Sequence, residues 1–260
     1  FFDYQRLLRD EGDHFLSVIE TVSSSGRFIM QKELSDFEAQ LSNYLNSQYA
    51  VGVGNATDGM EIYLNAIGIN KGDEIIISSH TMLATASAVV ANGGVPVPVD
   101  IGYDNLIDPS MIANSITSRT VGIMHTQLNG RTCEMDKILS IAEKHSLFVV
   151  EDAAQALGSK YKDKFAGTFG LASCISFYPA KVLGCFGDAG AVITQDKELH
   201  EKIYQLHDHG RNLNGDVVSW GRNSRLDNVQ AAILADKLES YDQVIRRRRE
   251  IAKIYHKELS

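Results

Sequence analysis

The sequence contains few cysteines, no excess of basic residues and no long apolar run. Its 3 cysteines, Cys133, Cys174 and Cys185, are too few and odd in number for a disulfide-rich domain, and they lack the CxxC spacing of a structural zinc site. With 33 Asp and Glu against 25 Lys and Arg, the net charge of −8 argues against a nucleic-acid-binding protein. The longest stretch without a charged residue or histidine, residues 81–99, is broken by glycines and prolines, so no membrane span is predicted.

The overall composition is that of an ordinary globular protein. Hydrophobic residues make up 44% and charged residues 22% of the 260 residues, which excludes a disordered chain and is compatible with one large domain. Unpaired thiols are typical of a reducing compartment, and residues 1–10 carry charges where a signal peptide would be apolar. We therefore expect a cytoplasmic protein.

Strand-like and helical periods alternate along the chain, which predicts an α/β fold with a mainly parallel sheet. We expect strands near 49–51, 74–78, 95–99, 121–125 and 147–152. Helices are expected to end near 47, to run through Met60, Leu64 and Ile67 up to Gly68, and to cover 83–91 and 135–145. A long helix, broken near Ser240, is expected from 226 to about 259. We expect residues 1–240 to form a large domain, and residues 241–260 to begin a helix leading to a small domain that is largely absent.

The turn Gly52-Val53-Gly54-Asn55-Ala56-Thr57 lies between a predicted strand and a predicted helix. Exposed N–H groups and the helix dipole make such a turn a candidate anion site. A dinucleotide-binding loop is a competing interpretation, but the acid it needs at the end of the next strand is replaced by Ser78 and Ser79. A glycine-rich turn without a ligand remains the third possibility.

Two further segments carry candidate catalytic groups. Asp152 follows a buried strand, where an acid serves as a metal ligand, a general base or the partner of a protonated ring nitrogen, or simply caps a helix. Lys181 lies in a glycine-rich stretch, where a lysine in a pocket becomes an amine nucleophile, although most lysines are merely exposed. A P-loop is excluded because Val182 follows this lysine.

The segment 221–232 by itself predicts only an ordinary capped helix start. The other three segments, taken in order, supply a phosphate cradle, an acid at a strand end and a loop lysine. These are the parts of a pyridoxal-phosphate enzyme, in which the lysine holds the cofactor aldehyde and the acid keeps the pyridine nitrogen protonated.

These residues identify a resemblance. The pattern Ser-Phe-Tyr-Pro-x-Lys-x-Leu-Gly-x-x-Gly-Asp-x-Gly-Ala matches residues 176–191, and Glu-Asp-Ala-Ala-Gln matches residues 151–155. The sequence resembles the DegT/DnrJ/EryC1/StrS family of pyridoxal-phosphate-dependent sugar aminotransferases, from Phe1-Phe2-Asp3 to the segment 225–227. The resemblance implies a fold-type I large domain like that of aspartate aminotransferase, followed by a small domain.

The resemblance also implies residue roles. Lys181 would hold the cofactor and move the proton, while Asp152 would pair with the pyridinium nitrogen. Gln155 would lie near the cofactor ring and its oxygen substituent, and Met82 stands where the family usually has an aromatic residue stacked on the ring. Asn223 would reach the phosphate of a neighbouring subunit, which implies a homodimer. The phosphate would be bound by Ala56, Thr57 and Ser176.

The resulting hypothesis is an aminotransferase that moves an amino group from L-glutamate, through the pyridoxamine form of the cofactor, to a nucleotide-linked keto sugar at C3 rather than C4. No metal, nucleic acid or membrane partner is expected. Arg27, Arg211 and Arg222 are candidates for the nucleotide diphosphate, whereas Arg246–Arg249 is interpreted as a solvated helix. The alternatives are a non-catalytic regulator or sensor with the same fold, a sugar dehydratase of the family and, least supported, a nicotinamide dehydrogenase.

Overall fold

The computed structural model describes residues 3–259. Phe1 and Phe2, which contribute to the N-terminal part of the resemblance, and Ser260 lie outside the described residues. The helices are α1 Tyr4–Ser25, α2 Lys32–Leu45, α3 Ala56–Ile67, α4 Leu83–Ala91, α5 Pro109–Asn114, α6 Met135–His145, α7 Lys197–His207, α8 Asn228–Glu239 and α9 Tyr241–Leu259. The strands are β1 Tyr49–Val53, β2 Glu74–Ser78, β3 Val95–Val99, β4 Thr120–Thr126, β5 Phe148–Asp152, β6 Lys160–Tyr161, β7 Lys164–Phe165, β8 Ala172–Ser176 and β9 Gly190–Thr194.

Seven of these strands form one sheet in the order β1-β9-β8-β5-β4-β2-β3. The pairs from β8 to β3 are parallel, whereas β9 is antiparallel to both of its neighbours. The expected α/β class with a mainly parallel sheet is therefore confirmed. Buried β-branched side chains explain the central strands, since Ile75, Ile76 and Ile77 of β2 are all covered.

Helices cover both faces of the sheet. One face carries α3, α4 and α7, whose apolar side chains meet Val51, Met124 and Val150. The other face carries α2 and α8 over β8 and β9, and α5 and α6 over β2, β4 and β5. Because parallel partners point their side chains to the same face, Thr126 of β4 and its partner Asp152 of β5 both face α3 and α4.

The predicted boundaries agree closely with the structure at β2, β3, α4 and α6, and Ser240 separates α8 from α9 as expected. Two strands of the main sheet, β8 and β9, were not predicted from the sequence. In β8, Ala172–Ser176, only Ile175 belongs to the residue types that are enriched in strands, so its composition gives little sign of a strand. Among the described helices, none combines the length and the apolar character that a membrane crossing requires.

Candidate active site

The carboxyl ends of several strands meet at one edge of the sheet. β2 ends at Ser78, β4 at Thr126, β5 at Asp152 and β8 at Ser176, and these four strands are parallel. β1 points the same way, because it and β8 both lie antiparallel to β9. Ligands of α/β proteins bind at such an edge.

The turn after β1 places the start of α3 at this edge. The side chain of Asn55 caps the helix by accepting from the N–H of Asp58 at 2.9 Å. The N–H groups of Ala56 and Thr57 lie in the first helical turn, where the helix itself provides no acceptor. Gly190 of β9 is required here, since a Cβ atom on it would lie 2.8 Å from the backbone nitrogen of Ala56.

Asp152 is the last residue of β5 and is almost fully buried. One carboxylate oxygen accepts from the hydroxyl of Thr85 at 2.6 Å, and the other accepts from the N–H of Ala154 at 3.1 Å. Burial raises the pKa of Asp152, while these two hydrogen bonds and the charge of Lys181 act in the opposite direction. The helix-cap interpretation of Asp152 is wrong, because residues 153–158 form turns and no helix follows.

The neighbouring acid, Glu151, points to the other face of the sheet, as alternation along a strand requires. Its carboxylate accepts from the amide of Gln127 at 2.8 Å and from the N–H of Gly167 at 2.9 Å. Burial would raise the pKa of Glu151, but the nearby His125 and the hydrogen bonds from Gln127 and Gly167 hold it below its usual value. Glu151 therefore fixes the chain around β5, and only Asp152 faces the cavity.

Lys181 follows β8 on a loop that the core holds in place. Phe177 is fully buried and packs edge-on against Phe37, with 5.3 Å between ring centroids. The loop closes through the N–H of Cys185, which donates to the carbonyl of Phe177 at 2.9 Å. Gly184 allows this closure, because a Cβ atom there would lie 2.6 Å from the carbonyl oxygen of Pro179. Lys181 is half-buried rather than exposed, which contradicts the interpretation of an ordinary surface lysine.

Two adjoining cavities share Lys181 as a lining residue. The inner cavity has a volume of about 260 Å³ and lies between the start of α3 and the end of β5. Seven of the residues predicted for the site line it: Ala56, Thr57, Met82, Asp152, Gln155, Ser176 and Lys181. The outer cavity, of about 630 Å³, extends from Lys181 to α9 and is lined there by Arg248 and Arg249. Burial lowers the pKa of Lys181, and the charge of Asp152 acts against this effect.

Gln155 and Met82 border both cavities. The side-chain oxygen of Gln155 accepts from the N–H of Asn129 at 3.1 Å, which ties it to the loop after β4. Met82 precedes α4 and is 66% exposed, so its side chain forms part of an open wall. Asn223 is not among the residues that line either cavity; it is exposed, and its backbone forms an isolated bridge with Asp208.

The structure also brings residues to the site that the sequence did not indicate. Thr85 and Thr126 are buried beside Asp152, and Asp188 and Tyr178 line the inner cavity. A threonine inside an apolar segment gives no sign of function in the sequence. The role of these two residues becomes visible only in the fold, where they lie together at the sheet edge. Tyr178 and Asp188 belong to the motif around Lys181, but the spacing alone assigned them no role.

The positions of the arginines relative to the two cavities also differ from those expected from the sequence. Arg222 forms ion pairs with Glu61 and Asp58, and Arg211 forms one with Asp208. Neither these two residues nor Arg27 belongs to the lining of the two cavities in the described part of the chain. Arg248 and Arg249 do line the outer cavity, although both are exposed, as expected for a solvated helix.

A mostly parallel α/β sheet with a lysine and a buried aspartate at its carboxyl edge is the large-domain architecture of fold-type I pyridoxal-phosphate transferases. Residues 9–260 match the model of the DegT/DnrJ/EryC1/StrS aminotransferase family, and the chain belongs to this family. The resemblance and the fold class inferred from the sequence are thereby confirmed.

Individual relatives support this assignment. The chain is 40% identical over 249 residues to the dTDP-3-amino-3,4,6-trideoxy-alpha-D-glucose transaminase of Streptomyces venezuelae, covering 95% of this chain and 65% of that protein. It resembles the crystal structure of S. venezuelae DesV in complex with a ketimine intermediate, with a TM-score of 0.95, 38% identity and coverage of 99% and 70% of the two chains. It also resembles NtdA from Bacillus subtilis with bound cofactor PMP, with a TM-score of 0.83, 37% identity and coverage of 89% and 53%.

Proposed function

We propose that the chain is the cofactor-binding part of a pyridoxal-phosphate-dependent aminotransferase that transfers an amino group from L-glutamate to C3 of a nucleotide-linked keto sugar. The observation that carries this proposal is the inner cavity, where Lys181, Asp152 and the start of α3 meet. The name of the S. venezuelae relative, a transaminase of a dTDP-3-amino sugar, supports the reaction and the carbon atom.

The residues of the inner cavity fit pyridoxal phosphate. The N–H groups of Ala56 and Thr57, with the hydroxyl groups of Thr57 and Ser176, suit a phosphate group, because a helix N-terminus attracts anions. The carboxylate of Asp152 suits a protonated ring nitrogen, and the amine of Lys181 suits the aldehyde carbon. When bound, the cofactor supplies the aldehyde and the electron-withdrawing ring that amino transfer needs.

Lys181 also moves the proton in the proposed reaction. A neutral amine accepts a proton and its ammonium form returns one, so a group that exchanges both near neutral pH is an effective acid–base catalyst. Burial lowers the pKa of Lys181 below its usual value, which favours the neutral amine. A positioned acid–base group contributes about 10²–10⁴-fold to a rate.

The outer cavity suits an anionic substrate. Arg248 and Arg249 line the wall contributed by α9, in a protein whose net charge is −8, so this wall offers a local positive potential. Guanidinium groups bind phosphate oxygens well. We therefore assign the nucleotide diphosphate to these two residues instead of Arg27, Arg211 and Arg222.

We also propose that the chain works as a homodimer with Asn223 directed at the neighbouring cofactor phosphate. Asn223 is exposed and lies outside both cavities, and the preceding segment exposes apolar side chains. Trp220 is 97% and Leu213 is 82% exposed, which favours an interface in this region. Light scattering of the wild type and of Trp220→Ser measures the oligomeric state of each. A wild-type monomer at high protein concentration would contradict the proposal.

Spectroscopy tests the proposed activity. Purified protein incubated with pyridoxal phosphate should gain a visible absorption band that borohydride removes irreversibly. The band should be missing in Lys181→Ala and retained in Lys71→Ala, which changes a lysine outside the two cavities.

Addition of substrates then separates the alternatives. L-glutamate should convert the band and release 2-oxoglutarate, and a nucleotide-linked 3-keto sugar should restore it. A cofactor band that glutamate leaves unchanged would instead favour a sensor or a dehydratase. If wild type and Lys181→Ala take up the cofactor equally, the assignment of Lys181 is wrong.

A further inference from the structure

A row of three hydroxyl groups connects Thr126, which lines the inner cavity, to Asp152 through Thr81 and Thr85. The Thr85 hydroxyl lies 2.6 Å from one carboxylate oxygen of Asp152, and Thr85 is fully buried. The Thr81 hydroxyl lies 2.7 Å from that of Thr85 and also 2.7 Å from that of Thr126. Three side chains from the loop before α4, from α4 and from β4 thus form one continuous chain of hydrogen bonds.

An ionised carboxylate fixes the direction of every proton in this chain. Because a carboxylate only accepts, Thr85 must donate to Asp152. The Thr85 oxygen then accepts from Thr81, and the Thr81 oxygen accepts from Thr126. All three O–H dipoles therefore point toward the negative charge, and each bond polarises the next.

This arrangement opposes the effect of burial on the acid. Burial raises the pKa of Asp152, and the Thr85 hydroxyl is the leading contact that lowers it, followed by the Ala154 N–H. These two donors occupy both carboxylate oxygens from the protein side. The carboxylate consequently has a fixed orientation and keeps its remaining lone pairs for a donor in the cavity.

We propose that Thr85, supported by Thr81 and Thr126, is a positioning residue that keeps Asp152 ionised and directed at the ring nitrogen of the cofactor. This inference rests on the proposed function, in which Asp152 pairs with a protonated pyridine nitrogen. Thr85 touches neither substrate nor cofactor in this role. It acts only through the carboxylate.

A purely structural role for Thr85 makes a different prediction. If the residue only packed α4 against the sheet, its loss would loosen the whole cavity and weaken every ligand equally. A role through Asp152 weakens only ligands that donate a hydrogen bond from the ring nitrogen. Two probes separate these cases: pyridoxal phosphate, and its analogue in which a C–H group replaces the ring nitrogen.

The experiment measures the dissociation constants of both probes by equilibrium dialysis. Thr85→Val keeps the shape of the side chain and removes the hydroxyl. We expect it to weaken pyridoxal phosphate binding about ten-fold, the value of one hydrogen bond to a charged group, and to change the affinity of the C–H analogue less than two-fold. Thr85→Ser, which retains the donor, should bind both probes like the wild type.

Further variants serve as controls. Asp152→Asn should show the same selective loss, which establishes that the probe pair reports on this carboxylate. Thr194→Val removes a buried hydroxyl of β9 that donates to the Leu171 carbonyl at 2.7 Å, away from the cavity, and should not discriminate between the probes. If Thr85→Val does not fold, Thr81→Val removes the next hydroxyl and should give a selective loss of about two- to three-fold.

The outcomes distinguish this inference from the proposed function. An equal loss for both probes, or no loss, in Thr85→Val would overturn the positioning role while the selective loss in Asp152→Asn leaves the proposed function intact. If the wild type binds neither probe, or if Asp152→Asn does not discriminate between them, the proposed function and this inference are both wrong.

Discussion

Glu38 offers a quantitative test of the electrostatics near the predicted phosphate-binding turn. This residue of α2 accepts from the N–H of Gly52 at 2.7 Å, in the strand that leads directly into the turn 54–57. Burial raises the pKa of Glu38 from 4.5 to about 7, and the bond from Gly52 acts in the opposite direction. The carboxyl group thus keeps its proton in the folded protein under conditions in which it loses it in the unfolded chain.

The sign of the effect on stability follows from this difference. Since the folded protein binds this proton more tightly than the unfolded chain, the contribution of Glu38 to the free energy of unfolding falls as the pH rises from 4.5 to 7. Above pH 7 this contribution stays constant. At about 1.4 kcal/mol per pH unit, the interval between 4.5 and 7 corresponds to at most about 3 kcal/mol. Glu38 borders an open polar cavity that also contains His200, so we expect about 1 to 3 kcal/mol.

The Glu38→Gln variant isolates this contribution, because glutamine cannot ionise. Urea unfolding of wild type and variant at pH 5, 6, 7 and 8 gives the free energy of unfolding at each value. The free energy of unfolding of the variant, relative to that of the wild type, should increase steadily up to about pH 7 and then stay constant. The titration of groups that do not interact with Glu38 cancels in the difference between the two proteins.

An exposed glutamate provides the matched control. Glu20→Gln on α1 changes the same chemical group at an exposed position, and its stability relative to the wild type should show no comparable trend. A pH-independent difference between wild type and Glu38→Gln would refute the reasoning. A difference that grows toward low pH would do so as well.

Two further predictions concern the two cavities. Gly190→Ala should destabilise the protein by about 1–3 kcal/mol in urea unfolding and weaken phosphate binding, because the new Cβ atom would lie 2.8 Å from the backbone of Ala56. The control Gly187→Ala should have neither effect, because its Cβ atom would lie 3.3 Å from a flexible side chain. Arg248→Gln should raise the KM for the nucleotide sugar about ten-fold with little change in kcat, whereas Arg246→Gln on the same helix should leave both constants unchanged. Equal behaviour of variant and control would contradict each prediction.

The amino-acid sequence determined the class of fold and the boundaries of several elements, among them β2, β3, α4 and α6. The run Ile75-Ile76-Ile77 fixed a strand buried on both faces, and Gly68, with φ of 87°, ended α3 as a left-handed cap. These features depend on residues close together in the chain, so local patterns specify them. The order Thr57, Asp152 and Lys181 along the chain likewise sufficed to indicate a cofactor site.

Only the tertiary structure showed which other side chains lie beside Asp152 and Lys181. Thr85 and Asp152 are 67 residues apart, and their contact exists because α4 packs on the same face of the sheet to which Asp152 points. For the same reason, charge alone could not show that Arg248 lines the outer cavity whereas Arg222 forms an ion pair with Glu61. Contacts between distant segments depend on sheet order and helix packing, and neither is encoded in a short stretch of sequence.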